Sequence, residues 1–177
     1  YWMSELSKMI AVNIYQCVNQ GIVKGISDEE NYIYSNGIGG IVGELGCGNV
    51  MSSYNYGIVE GREMVGGIVG EMYGWCMLDD NYNNGNVNGY EYVGGIVGSA
   101  YADTEHIYIT RCNNKGNVCG MSYVGGILGY ESQDECSVYI TESQNKGTVE
   151  GSCCVAGIAG YIHNGAVIDC LNDGTVK

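Results

Sequence analysis

Asn114-Lys115-Gly116-Asn117-Val118, followed shortly by Val124-Gly125-Gly126-Ile127-Leu128-Gly129, is the stretch on which the fold turns. Its first half, Asn-x-Gly-x-Val, recurs six times, anchored at Asn19, Asn55, Asn83, Asn114, Asn145 and Asn172. Its second half recurs as Gly-Gly-Ile-Val-Gly at residues 39–43 and 66–70, and in the same or a closely varied form ending at Gly98, Gly129 and Gly160. A period of about 30 residues marks stacked supersecondary units, none of which can bury its apolar face alone.

The spacing inside the repeat is informative. From anchor Asn to the second Gly of the next Gly-Gly pair the distance is 12 residues in repeats two to five. From that Gly to the next anchor it is 15, 16, 19, 19 and 15. Length variation is therefore concentrated in one connection, which places a variable loop along one edge of a rod. The first repeat differs, with an insertion of nine that includes Asp28, Glu29, Glu30 and Tyr32.

Three short strands are expected per repeat: one before the anchor, a very short one after the Asn-x-Gly turn, and the Val-Gly-Gly-Ile-Val-Gly run. Asn and Gly suit a tight turn because both tolerate positive φ. Stacking the repeats gives columns. Ile14, Val50, Leu78, Ile109, Ile140 and Val167 form one interior column, and Val23, Val59, Val87, Val118, Val149 and Val176 a second. Ile38, Val65, Val93, Val124 and Val155 form a third, and Ile41, Ile68, Ile96, Ile127 and Ile158 a fourth. Gly25, Gly61, Gly89, Gly120 and Gly151 line up where the backbone must turn sharply or approach closely. The fold class is all-β, a parallel β-solenoid of five to six rungs with three short strands per rung. With rungs about 4.8 Å apart the body is roughly 25 Å long. Residues 1–12 form a candidate N-terminal cap, with a short helix over residues 4–11, and residues 13–177 form the single solenoid domain.

Repeats that join Val-Gly-Gly-Ile-Val-Gly, as at residues 124–129, to Cys-x-Asn-x-Gly-x-Val, as at residues 170–176, resemble the GLUG-motif repeats. The likeness runs from about Asn13 onward. Those repeats belong to large bacterial surface and secreted proteins, including the non-catalytic part of metallopeptidases that cleave immunoglobulin A. The resemblance implies a β-solenoid on an exported protein at the cell surface or outside it. It transfers no active site.

Composition narrows the partners. The chain has 177 residues, 45% of them apolar, which supports one domain with a real core. It holds 30 Gly but no Pro and no Phe, and the glycines sit at fixed repeat positions, unlike those of a linker. With 20 acidic and 7 basic residues the net charge is −13, which disfavours nucleic acid and anionic membrane. No stretch approaches the roughly 18 apolar residues of a membrane helix. The chain opens without Met and closes inside its sixth repeat, as expected for a piece of a longer polypeptide, whose flanking domains would be its first partners.

No catalytic residue is nominated. His-Glu-x-x-His is absent, and the histidines, His106 and His163, read as surface loop residues. Arg62 and Arg111 fall at different points of the rung and do not converge as a polysaccharide-cleaving groove would require. Nine cysteines, an odd number with no aligned pair in adjacent rungs, favour free thiols and a reducing or low-oxygen setting. The variable edge carries an aromatic in most rungs: Tyr73, Trp75, Tyr101, Tyr130 and Tyr161. They are candidates for binding a glycan or a host or matrix protein, against the alternative that they cover the loops. Asp103, Glu105, Asp134 and Glu135 cluster enough to suggest calcium, though no EF-hand or nonapeptide pattern is present. No other cofactor is implied. Function reads first as a structural stalk, spacer or adhesin-like segment, next as a binding module, then as an enzyme of the polysaccharide-lyase kind, and last as a subunit that assembles end to end. In the last case unpaired strand edges would join the copies.

Overall fold

A computed structural model describes residues 12–25, 37–101, 105–131 and 137–177. The candidate helical cap at residues 4–11 and most of the first-repeat insertion lie outside them. The first coil runs through β1 (Val12–Tyr15), β2 (Val18–Asn19), β3 (Val23–Lys24), β4 (Ile38–Gly39) and β5 (Val42–Leu45). The next coil then begins at β6 (Gly48–Met51), directly over β1. Each strand pairs in parallel with its counterpart one coil on, which builds two sheets of six strands and three of five. The chain is thus an all-β parallel solenoid, with no helix among the described residues. All three expected strands are present in each of the first five coils. The Gly-Gly run is bent into two arms, β4 and β5, and the anchor itself contributes the two-residue β2.

The columns align as the repeat demands. Ile14, Val50, Leu78, Ile109, Ile140 and Val167 are register partners in turn. So are Val23, Val59, Val87, Val118 and Val149, with Val176 bridged to the last. The interior has two compartments. The larger packs the Ile68–Ile96–Ile127 column against Val50, Leu78, Ile109 and Ile140. The smaller is all valine at its centre: Val59, Val65, Val87, Val93, Val118, Val124 and Val149. Each such residue is fully buried and contributes about 1.5–3 kcal/mol by leaving water.

Between the compartments runs a spine of amides. Asn55, Asn83, Asn114 and Asn145 have no exposed surface. The Nδ2 of each anchor donates to Oδ1 of the anchor one coil on: Asn55 to Asn83 at 2.7 Å, then Asn83 to Asn114 and Asn114 to Asn145, both at 2.8 Å. Asn19 and Asn172 extend the ladder at its ends. Each Nδ2 also donates to the carbonyl two residues on, as from Asn55 to Gly57 at 2.9 Å, and Oδ1 of Asn55 accepts the Gly57 N–H. A buried amide left unpaired would cost about 1–3 kcal/mol, so these residues survive inside only because the neighbouring coils complete them.

This corrects the reading of the turn. The anchors and their Asn-x-Gly glycines do not adopt positive φ. The turn is held by the Asn side chain, and Gly is needed because a Cβ on Gly116 would overlap the carbonyl oxygen of Gly85 one coil away. The glycine column likewise answers close approach, since a Cβ on Gly120 would lie 2.9 Å from methyls of Val93 and Val124. The left-handed corners fall instead on non-glycine residues in two columns. One is Gln16, Ser52, Asp80, Arg111, Glu142 and Asp169, and the other Met64, Tyr92, Tyr123 and Cys154, all with φ between 49° and 55°. Gly74, in a variable loop, has φ +72° and would place a Cβ 2.7 Å from Cys47 Sγ.

The column two residues before the anchor is small and polar for a reason. Each side chain accepts the backbone N–H of the coil before: Ser53 Oγ from Cys17, Asn81 Oδ1 from Ser53, and Ser143 Oγ from Cys112. Eight cysteines lie among the described residues, all as free thiols.

Candidate functional site

The outer face of the β4- and β5-type strands is where the sequence varies most from coil to coil. Its geometry begins with the second left-handed column. In an ordinary strand successive side chains point to opposite faces. Here the left-handed residue lets two neighbours point outward before the next Val turns in: Glu63 with Met64, Glu91 with Tyr92, Ser122 with Tyr123, and Cys153 with Cys154. The β5-type strand adds one more outward column: Glu44, Glu71, Ser99, Tyr130 and Tyr161.

Character therefore changes along the rod. The first three coils present stacked carboxylates, with Glu44 registered to Glu71 and Glu63 to Glu91. Burial, and then the neighbouring Glu44, push the Glu71 carboxyl above its ordinary value. The next coils present rings. Tyr130 lies 4.5 Å from Tyr92, 4.9 Å from Tyr123 and 5.3 Å from Tyr161, centroid to centroid, and Tyr123 completes the cluster 5.9 Å from Tyr161. These spacings are those of packed aromatic pairs. Burial, followed by the charge of Glu91, raises the Tyr92 phenol, so it stays protonated and able to donate. Such a face offers flat apolar surface with hydroxyls at its rim. Among its described residues no nucleophile sits beside a base.

The five aromatics read from sequence fall into separate groups. Tyr73 and Tyr101 are register partners, each about 40% exposed. Tyr130 and Tyr161 stack in a different column, two residues nearer the Gly-Gly pair. Trp75 follows Gly74, between neighbouring strands. The structure thus joins Tyr130 and Tyr161 to Tyr92 and Tyr123, which sequence reasoning had missed. Their signal was an aromatic directly before the third-column Val in successive repeats.

Of the calcium candidates, Asp103, Asp134 and Glu135 lie outside the described residues, and Glu105 directly precedes the strand His106–Thr110. Among the described residues no three His, Cys, Asp or Glu side chains come together as a metal group. His106 is not a loop residue: it opens that strand and meets the stacked rings of Tyr108 and Tyr139 edge-on. Glu131 is fully buried in a column otherwise apolar, and its Oε2 accepts the backbone N–H groups of His163 at 2.7 Å and Asn164 at 3.1 Å.

These features define a parallel β-solenoid repeat protein. Neither a family model nor a curated protein matches the chain. Among solved structures, a crystal structure of a "putative immunoglobulin A1 protease" from Bacteroides ovatus matches with a TM-score of 0.66 and 19% identity. The match covers 96% of this chain and 60% of that one, so the chain spans about three-fifths of its neighbour. At that identity the likeness is one of fold.

Proposed function

We propose that this chain is a non-catalytic structural repeat module, a stalk or spacer, of an exported bacterial protein. Its place is the cell surface or beyond, in a low-oxygen setting that keeps its thiols reduced. The observation that carries this reading is the unbroken Asn ladder, which ties every coil to the next through buried side chains as well as backbone. The likeness to GLUG repeats and the fold shared with the Bacteroides ovatus structure support it. A spacer is defined by length, so the test removes one coil by joining Asn83 directly to Lys115. The shortened chain should stay folded and lose about 4.8 Å of rod length in small-angle scattering. An unfolded product would overturn the modular reading.

A second reading, a glycan- or protein-binding module, is favoured by the Tyr92–Tyr123–Tyr130–Tyr161 cluster. Its test is a glycan array with and without calcium. Binding lost in Tyr123→Ser/Tyr130→Ser but kept in Tyr73→Ser/Tyr101→Ser assigns it to the cluster, and the reverse assigns it to the Tyr73–Tyr101 column. A blank array with either ion condition leaves no support for this reading.

A further inference from the structure

Cys153 and Cys154 lie at the last step of the outer face, where the acidic and aromatic columns give way to sulfur. Ser122 is the register partner of Cys153, and Cys154 stands over Tyr123 in the left-handed column. At φ 52° Cys154 brings its thiol to the same side as that of its neighbour, and the two Sγ atoms are 3.6 Å apart. Both residues are exposed. The backbone beneath them is fixed, with the N–H groups of Ser152 and Cys153 both donating to the Met121 carbonyl one coil below.

We propose that this pair is a two-thiolate chelating site for a soft divalent metal ion of the zinc and cadmium class. The bite of the pair decides the ion. Tetrahedral zinc–sulfur bonds of about 2.3 Å set two sulfurs about 3.8 Å apart, within about 0.2 Å of the observed separation, and the larger cadmium ion asks only a slightly wider bite. A linear two-coordinate ion would need about 4.6 Å on the same bond length, which this pair does not span. Hard ions such as calcium prefer oxygen donors and gain little from thiolates. Binding is a plain exchange: two S–H bonds break, two metal–sulfur bonds form, and two protons leave to solvent. The remaining two positions on the ion face outward, open to water or to donors from outside the chain. The left-handed backbone supplies the preorganisation. In an ordinary strand the same two residues would face opposite sides of the sheet and could not share an ion.

The test is a titration of the reduced chain with Cd²⁺, read by the thiolate-to-cadmium charge-transfer band in the ultraviolet. The expected result is saturation at one ion per chain, with two protons released. Cys153→Ser and Cys154→Ser should each weaken binding about 100-fold, because either change turns a chelate into a single contact. Cys119→Ser, at another exposed thiol, should leave the titration unchanged. Far-ultraviolet circular dichroism of each variant verifies that the solenoid is intact. Undiminished binding in either Cys153→Ser or Cys154→Ser overturns the proposal, and so does a loss of only half the signal in each, which would mark independent thiols.

Discussion

The anchor column and the outer face are built from the same coils, yet they behave oppositely. At the anchor all six coils carry Asn, and the middle four are buried and hydrogen-bonded to their copies above and below. On the outer face one register column passes from Glu to Ser to Tyr in five coils. The difference lies in what each position touches. An anchor side chain must complete the amide beneath it and supply the amide above it, so a change in one coil is felt in three. An outward side chain meets neighbours that differ from coil to coil, and water takes up the remainder. Repetition here reports mutual dependence between copies, and drift reports freedom to acquire other chemistry.

The largest effect expected from this contrast comes from cutting the ladder in the middle. Asn114→Ala removes the partner of the Gly116 carbonyl and one of the two partners of the Asn83 amide donor and of the Asn145 Oδ1. With each lost partner costing about 1–3 kcal/mol, a loss of about 4 kcal/mol in urea denaturation is expected. Asn172→Ala, at the exposed end, should cost about 1 kcal/mol. Equal losses at the two positions would mean that the ladder is not cooperative with burial.

Next is the glycine two residues on. Gly116→Ala should destabilise by about 3 kcal/mol, because its Cβ meets backbone and not a flexible side chain. Gly21→Ala, in the same column but with its Cβ 3.7 Å from the nearest atom, should stay within about 0.5 kcal/mol. Thermal melts of the pair separate a stacking requirement from a turn requirement, since a turn requirement would penalise both alike.

The smallest effect tests the polar column beside the anchor. Burial pushes the Cys112 thiol up to about 12 from an ordinary 9.0. Its folded value is raised, so its contribution to stability is complete below pH 9 and is lost as pH climbs toward 12. Cys112→Ser copies the residue found at Ser53 and Ser143, and should change neutral-pH stability by less than about 1 kcal/mol. It should also flatten the alkaline decline, which pH-dependent denaturation measures directly. A decline as steep as that of the parent chain would mean that Cys112 is not its source.

What was legible in the sequence follows the same division. The Ile and Val columns could be read because apolar residues at a fixed period have one good destination, a shared interior. Asn55 and its copies were visible as turn formers but not as a buried spine. One repeat shows a side chain able to close its own turn, and only the stack shows where its remaining donor goes. Repeat columns correctly turn Val65 and Val93 inward, while candidates for the outer face were taken from the variable loops. That choice passes over Tyr92 and Tyr123, which come directly before the inward Val and not after the Gly-Gly run. The five aromatics chosen from the loops were therefore divided between columns.

The amide spine also has an arrow. Every anchor donates toward the C-terminal end and accepts from the N-terminal end, so Asn19 presents an acceptor at one extremity and Asn172 a donor at the other. Two copies meeting by like ends would set donor against donor or acceptor against acceptor in that column. Any further coil, from this chain or another molecule, continues the spine only if it arrives with the same heading.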